Sequence, residues 1–347
     1  MSLLSGVSDF FGLDIGTTAI RAVQLSGGGP VKGLVKYAYV PIDVKLAQSE
    51  SATDKQKLVL AVQELLNQAR ITTKNVVVGL PSQRVFTTVV DFDRLAPNEL
   101  AKAIRFEADS LIPTPLAEAS MDWAQIGDSP VEANKVEVLL SSVPNEFVEA
   151  RLDALEAIGL NVIAFEPDSL AVARAVLAPD AVQPQMVLDI RHNSTDLVIA
   201  MNGAPRLTRA IPTGSDAFLK SAMANLSIDQ KQAEQFVMKF GLSKDKLEGQ
   251  IYHAIIGTVD LLVGEIDKSI KFFQKRYGEN AKLERIIVTG AGSLLPELPL
   301  YIANKFGVSV EIGNAWRNVS YSQDRQNELM ALTNQFGVAV GLAERAE

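Results

Sequence analysis

Apolar residues fall along the chain in two alternating periods. Runs of strand length recur at Val76-Val77-Val78, Val136 to Val143, Val187-Leu188 and Ile286-Ile287-Val288. Between them lie stripes with the 3.6-residue period of an amphipathic helix. Leu100, Ile104, Ala108 and Leu111 form one, stopped by Pro113 and Pro115. Val148, Leu152, Leu155 and Ile158 form a second, ended by Gly159, and Leu262, Ile266, Ile270 and Phe273 a third. This interleaving predicts a mixed α/β protein. Gly27-Gly28-Gly29-Pro30 predicts a tight turn between strands, and Pro179 to Pro184 a linker near mid-chain.

One internal similarity outweighs these local signals. Phe11 to Thr18 runs an apolar strand into Asp14, then a turn with two hydroxyls, then a second apolar stretch. Met186 to Ile190 with Ser194-Thr195-Asp196 repeats that design about half a chain length later. Two halves that each open with a strand, an Asp-tipped turn and a second strand predict a duplicated fold with a cleft between the halves.

Composition narrows the chemistry. The chain has 347 residues, enough for two or three domains, with 47% hydrophobic and 21% charged residues, a globular balance. Net charge is −8, so there is no general attraction for nucleic-acid phosphates, and no nucleic-acid partner is expected. The absence of cysteine excludes disulfides, thiolate metal sites and a cysteine nucleophile. Two histidines, His192 and His253, leave no imidazole metal cage. Met1 to Phe10 lacks the basic start and apolar run of a secretory signal, and no uninterrupted apolar stretch is of membrane-spanning length. The expectation is a cytoplasmic protein without direct membrane insertion.

Candidate phosphate chemistry centres on the first turn. Gly16 lets the backbone approach a phosphate, the amides of Thr17 and Thr18 can donate to it, and Arg21 can add charge. Asp14 at the strand end can hold a water on Mg²⁺. The alternative is an ordinary hairpin whose Asp and Thr stabilise the turn. After Ile286-Ile287-Val288-Thr289, Gly290 and Gly292 can admit a flat base or ribose, or simply form a packing turn. Leu295 breaks the dinucleotide fingerprint, and Leu34 stands where a P-loop requires Lys. No Gly-x-Ser-x-Gly elbow occurs, and Leu95 and Ala96 spoil a calcium loop at Asp91 and Asp93, which read as solvated turn charges. Lys268, Lys271, Lys275 and Arg276 read as a solvated basic helix face. No catalytic residue can be designated.

A longer set of motifs is more specific. Leu95-x-x-x-Glu99-Leu100 leads to Ile104-Arg105-Phe106-Glu107-Ala108-x-x-x-Ile112-Pro113, then Met121-Asp122-Trp123. Arg209-x-Ile211-Pro212-x-Gly214, Glu265-Ile266-x-x-Ser269-Ile270 and Gly337 to Ala343 follow. Over residues 9–345 the chain resembles the PilM family of type IV pilus assembly proteins, actin-like ATPases similar to the cell-division protein FtsA. The resemblance implies an actin-like, duplicated ribonuclease-H-like α/β fold with a central nucleotide cleft and an inserted small α+β domain. Residues 9–80 plus 166–185 would form the first half, 81–165 the insertion and 186–345 the second half. Asp14, Gly16, Thr17 and Thr18 would be the first phosphate loop, and Asp189, Arg191 and Thr195 the second. Gly214 would be a further phosphate-side glycine and Gly290 with Gly292 the adenosine contact. Asp14 and Asp189 would face Mg²⁺.

This chain departs from that pattern at three contacts. Arg191 replaces a loop glycine, Leu219 replaces the usual Thr, and Val237 stands where a Lys would flank adenosine. The expectation is a nucleotide-shaped cleft in which ATP and Mg²⁺ bind weakly. The implied function is a cytoplasmic scaffold at the inner face of the cell membrane, gripping the tail of a single-span PilN-like protein beside other pilus platform proteins. Val85 to Val90 and the helix bearing Ile104 and Leu111 are the expected groove. A working ATPase with Arg191 on the phosphates is the alternative. An FtsA-like division protein is disfavoured because Ala343 to Glu347 does not read as a basic amphipathic helix.

Overall fold

The computed structural model describes residues 9–49 and 51–345. Residues 1–8, on which most of the reading of the N-terminus rests, lie outside the described residues, as do the last two residues of the tail. The first half opens with a meander of β1 (Phe11–Ile15), β2 (Ala19–Ser26) and β3 (Lys32–Pro41). Helices α1 (Val44–Gln48) and α2 (Ala52–Ala69) then carry the chain to β4 (Asn75–Leu80), parallel to β1. The predicted Gly27–Pro30 turn joins β2 to β3.

An insertion follows: β5 (Phe86–Asp93), α3 (Pro97–Leu111), β6 (Ala119–Asp128) and β7 (Lys135–Pro144). It forms a three-stranded antiparallel sheet in the order β5-β7-β6, on which α3 seats Leu100 and Ile104. The chain returns through α4 (Asn145–Glu156) to β8 (Asn161–Pro167), which pairs parallel with β4. The strands of this separate sheet lie within 86–144. A parallel strand pair needs a crossover, and α4 supplies it within the first half.

Helix α5 (Asp168–Val176) leads into the second half, with β9 (Gln185–Ile190), β10 (Thr195–Met201) and β11 (Ala204–Ile211). Helices α6 (Ser215–Leu226), α7 (Gln230–Phe240) and α8 (Gln250–Tyr277) precede β12 (Arg285–Thr289). Then come α9 (Leu298–Phe306), β13 (Ser309–Ile312), β14 (Val319–Ser320) and α10 (Gln326–Ala343).

The two large sheets have one topology. β9 pairs antiparallel with β10, β10 antiparallel with β11, β9 parallel with β12 and β12 parallel with β13. β1, β2, β3, β4 and β8 repeat those relations, with β14 added at the β3 edge. This is the duplicated ribonuclease-H-like arrangement of an actin-like fold. α5 and α10 lie between the sheets and share one apolar cluster with Val23, Val77, Val187 and Ile287 from both. A side chain at Gly341 would collide with the Ala171 carbonyl, so this glycine sets the α5–α10 crossing distance.

The small domain is also tied to the second half. Glu137 of β7 is fully buried and meets Arg206 of β11 at 2.7 Å. It accepts hydrogen bonds from the Tyr277 hydroxyl at 2.7 Å and from Arg276 at 3.2 Å. Arg276 reaches on to Asp91 and to the Val89 carbonyl, each within 2.9 Å. The expected solvated roles of Asp91 and Arg276 are thus corrected. Both belong to an ion network that carries a buried carboxylate across a domain contact, and such a charge must be paired. Lys268 and Lys271 are exposed, as expected.

Candidate functional site

The two Asp-tipped turns meet at the centre of the molecule. β1 is buried along Phe11 to Asp14, so Asp14 is only 2% exposed. Gly16 donates its N–H to Ala19 O at 3.1 Å, closing the turn, while Thr17 is half-buried and Thr18 exposed. Antiparallel register sets Arg21 opposite Asp14, and their side chains meet at 3.4 Å.

The second turn is tighter. Arg191 N–H donates to Ser194 O, and the Thr195 hydroxyl is spent on Thr213 O, each at 2.8 Å. Register pairs Asp189 with Asp196, both buried. The Arg191 side chain crosses the cleft. Its Nη2 lies 3.1 Å from Asp14 Oδ1, and its Nη1 donates to Asp168 Oδ2 at the start of α5. Beside it, the Ser82 hydroxyl donates to Asp196 Oδ2 at 2.8 Å. Burial pushes the Asp189 carboxyl up to about 7, against the pull of Arg191. The same desolvation raises Asp168 and Asp196, again opposed by the guanidinium.

The glycines expected beside phosphate and adenosine make backbone contacts. A side chain at Gly214 would strike the Arg191 and His192 carbonyls. Those carbonyls accept from Ser215 N–H at 2.9 Å and Asp216 N–H at 3.0 Å, so the first turn of α6 caps itself on the second loop. Gly290, at φ +81°, presses on Asp189 and Ile190, and Gly292 on Ile190. Val237 is core, and Leu219 packs against that core. Thus Asp14, Gly16, Asp189 and Arg191 converge, Thr195 and Gly214 support the second loop from behind, and Gly290 and Gly292 pack beneath Asp189.

Three contributors were not read from the sequence: Asp168, Asp196 and Ser82. Asp196 belongs to the repeated turn, and its register opposite Asp189 was the available signal. Asp168 and Ser82 follow Pro167 and Pro81 at strand ends, and nothing local marks them. A side chain at Gly79 would overlap the Asp168 carboxylate, so that glycine makes room for it.

One cavity borders this centre and a second lies away from it, at the opposite ends of β9 and α5. One, of about 870 Å³, lies in front of Thr17 and Asn193 and holds Phe147 with Arg84 and Arg151 against its ring at 5.5 and 5.6 Å. The other, of about 1450 Å³, lies between β6, Phe10, the Leu177 end of α5 and Pro205 of β11. No helix among the described residues is long and apolar enough to cross a membrane.

Comparison with known proteins gives this architecture a family. The chain is 23% identical over 383 residues to the cell division protein FtsA of Neisseria meningitidis serogroup B, covering 96% of this chain and 89% of FtsA. It superposes on the solved PilM–PilN type IV pilus biogenesis complex with a TM-score of 0.80 and 27% identity, covering 96% of this chain and 97% of that one. ADP-bound MreB5 of Spiroplasma citri shares the fold at a TM-score of 0.58 and 14% identity, over 96% and 95% of the chains. The family model described as type IV pilus assembly protein PilM matches residues 12–347. The chain belongs to the PilM family of type IV pilus assembly proteins.

Proposed function

We propose that this protein is a cytoplasmic scaffold of a type IV pilus-type assembly complex, held at the inner face of the membrane by the tail of a single-span PilN-like partner. ATP and Mg²⁺ bind weakly to it. The similarity to a PilM solved with PilN supports the partner class. The groove expected from β5 and α3 needs revision on physical grounds. Ile104 is fully buried, Leu111 packs on the same core, and Arg276 covers the β5 backbone at Val89.

The observation that carries the reading is the edge of β6. Among the described strands β6 pairs only with β7, and Ala124 to Gly127 line the 1450 Å³ cavity, with the Ile126 carbonyl already accepting from Arg206 Nη2 at 3.1 Å and the neighbouring backbone left for a tail. An extended tail added there would gain main-chain hydrogen bonds and side-chain pockets. The net charge of −8 and the exposed Asp122 on β6 favour Lys or Arg where the tail leaves the cavity, whereas Lys32, Arg174 and Arg345 with Glu344 line the cavity itself. A labelled peptide of the first dozen residues of the neighbouring single-span protein should bind saturably by fluorescence anisotropy. Ile126→Glu should weaken it at least about tenfold, a loss of about 1.4 kcal/mol, while Phe106→Ala on exposed α3 should not. Equal affinities for the two variants, or no saturable binding, would overturn this assignment.

A further inference from the structure

The fold implies a Mg²⁺-nucleotide in the cleft, and the residues present do not fit it. Among the described residues no three His, Asp or Glu side chains are grouped to hold a metal ion. A β-carbon at Gly16 would lie 3.3 Å from both Arg191 Nη2 and Arg21 Nη1, so guanidinium groups occupy the approach to the first loop. The first N–H groups of α6 are spent on the carbonyls of Arg191 and His192. Mg²⁺ demands near-octahedral oxygen ligands and retained waters, whereas a planar guanidinium fork matches two carboxylates without them.

We propose that Arg191 is the resident cation of the cleft, replacing the divalent ion and clasping the two halves together without nucleotide. Asp14 and Asp168 belong to the first half and Arg191 to the second, so its two ion pairs cross the cleft. Ser82 and Asp196 form a second tie across it at 2.8 Å, and Ser169 N–H holds the Ser82 hydroxyl at 3.2 Å. With both ties in place, the closed state is an internal property of the chain. Opening then requires a partly buried guanidinium to leave two buried carboxylates, rather than exchange of a ligand. This inference rests on the reading that ATP binds weakly, and the two are separable.

The cysteine-free sequence allows a direct test. Lys57 on α2 and Lys220 on α6 are exposed, with side chains 61% and 74% accessible, and can be changed to Cys for spin labels. Double electron–electron resonance on the otherwise wild-type protein should give one narrow distance distribution, unchanged by millimolar Mg-ATP. Arg191→Lys keeps the charge but loses the planar fork and part of the reach that serve both carboxylates, and should broaden the distribution toward longer distances. Arg191→Gly should broaden it further, and Mn²⁺ with ATP should then bind at least about tenfold more tightly than to wild type by calorimetry. Circular dichroism confirms that each variant is folded, and the conservative Lys variant decides the case if the Gly variant is not. Distributions of both folded variants that coincide with wild type would overturn the clasp. If wild type binds Mg-ATP tightly while its distances stay fixed, the weak-ATP reading and the replacement of the divalent ion by Arg191 both fall, and only the clasping of the halves stands.

Discussion

Asp189 shows how a single carboxyl in this centre answers to its surroundings. It is 4% exposed, and burial lifts it from 3.8 to about 7, with Arg191 opposing. Its folded form binds a proton more tightly than its unfolded form. Its contribution to stability is therefore complete below about pH 4 and is lost as pH rises through about 7. The loss is of order 4 kcal/mol, since a factor of ten in proton affinity is worth about 1.4 kcal/mol. Asp189→Asn, neutral throughout, should show a clearly smaller fall in unfolding free energy between pH 5 and pH 8 by urea denaturation. Parallel pH profiles for the two proteins would contradict this account. The unmodified Asp168 keeps part of the fall in both, because its carboxyl is raised by the same burial.

Among the elements, the contact of β7 with β11 and α8 is held by a network of ion pairs around a fully buried carboxylate. Removing the carboxylate of Glu137 leaves Arg206, whose side chain is 3% exposed, without its counter-ion. Breaking a buried pair in this way costs about 3–5 kcal/mol. Glu137→Gln should lower stability toward that range and speed amide hydrogen exchange in β5 to β7 relative to the sheets of the two halves. Asp93→Asn, at an exposed position on β5, should stay within about 0.5 kcal/mol of wild type. The α5–α10 crossing is the second such place. Gly341→Val would drive a branched side chain into the Ala171 carbonyl, and the variant should be among the least stable of any single change in α10. Thermal melts of the two variants measure both effects.

For the molecule as a whole, the centre and the β6 edge are separate features, one between the halves and one beside the insertion. If closure comes from Arg191 and not from nucleotide, partner binding has nothing to gain from ATP. A ligand shifts a conformational equilibrium only by its differential affinity for the two states. Peptide affinity at β6 should therefore agree within about twofold before and after the protein is stripped of nucleotide with apyrase. A large gain on adding Mg-ATP would place control in the cleft.

Much of this architecture was legible along the chain because it rests on local periodicity. The stripe at Leu100, Ile104 and Ala108 became α3, the run at Val76 to Val78 became β4, and the paired Asp-tipped turns became the matching starts of the two sheets. Repeated pattern produces repeated structure, since each half must bury the same faces. Sequence also marked Arg191 as foreign to a phosphate loop. What Arg191 does was decided only by the fold, which brings Asp14 and Asp168 from one half against a residue of the other. The partners of Asp91 and Arg276 were hidden for the same reason: they lie 185 positions apart, and no local spacing encodes their meeting. Helix and strand follow from neighbours in sequence, whereas a buried ion pair exists only once distant segments have excluded the water between them.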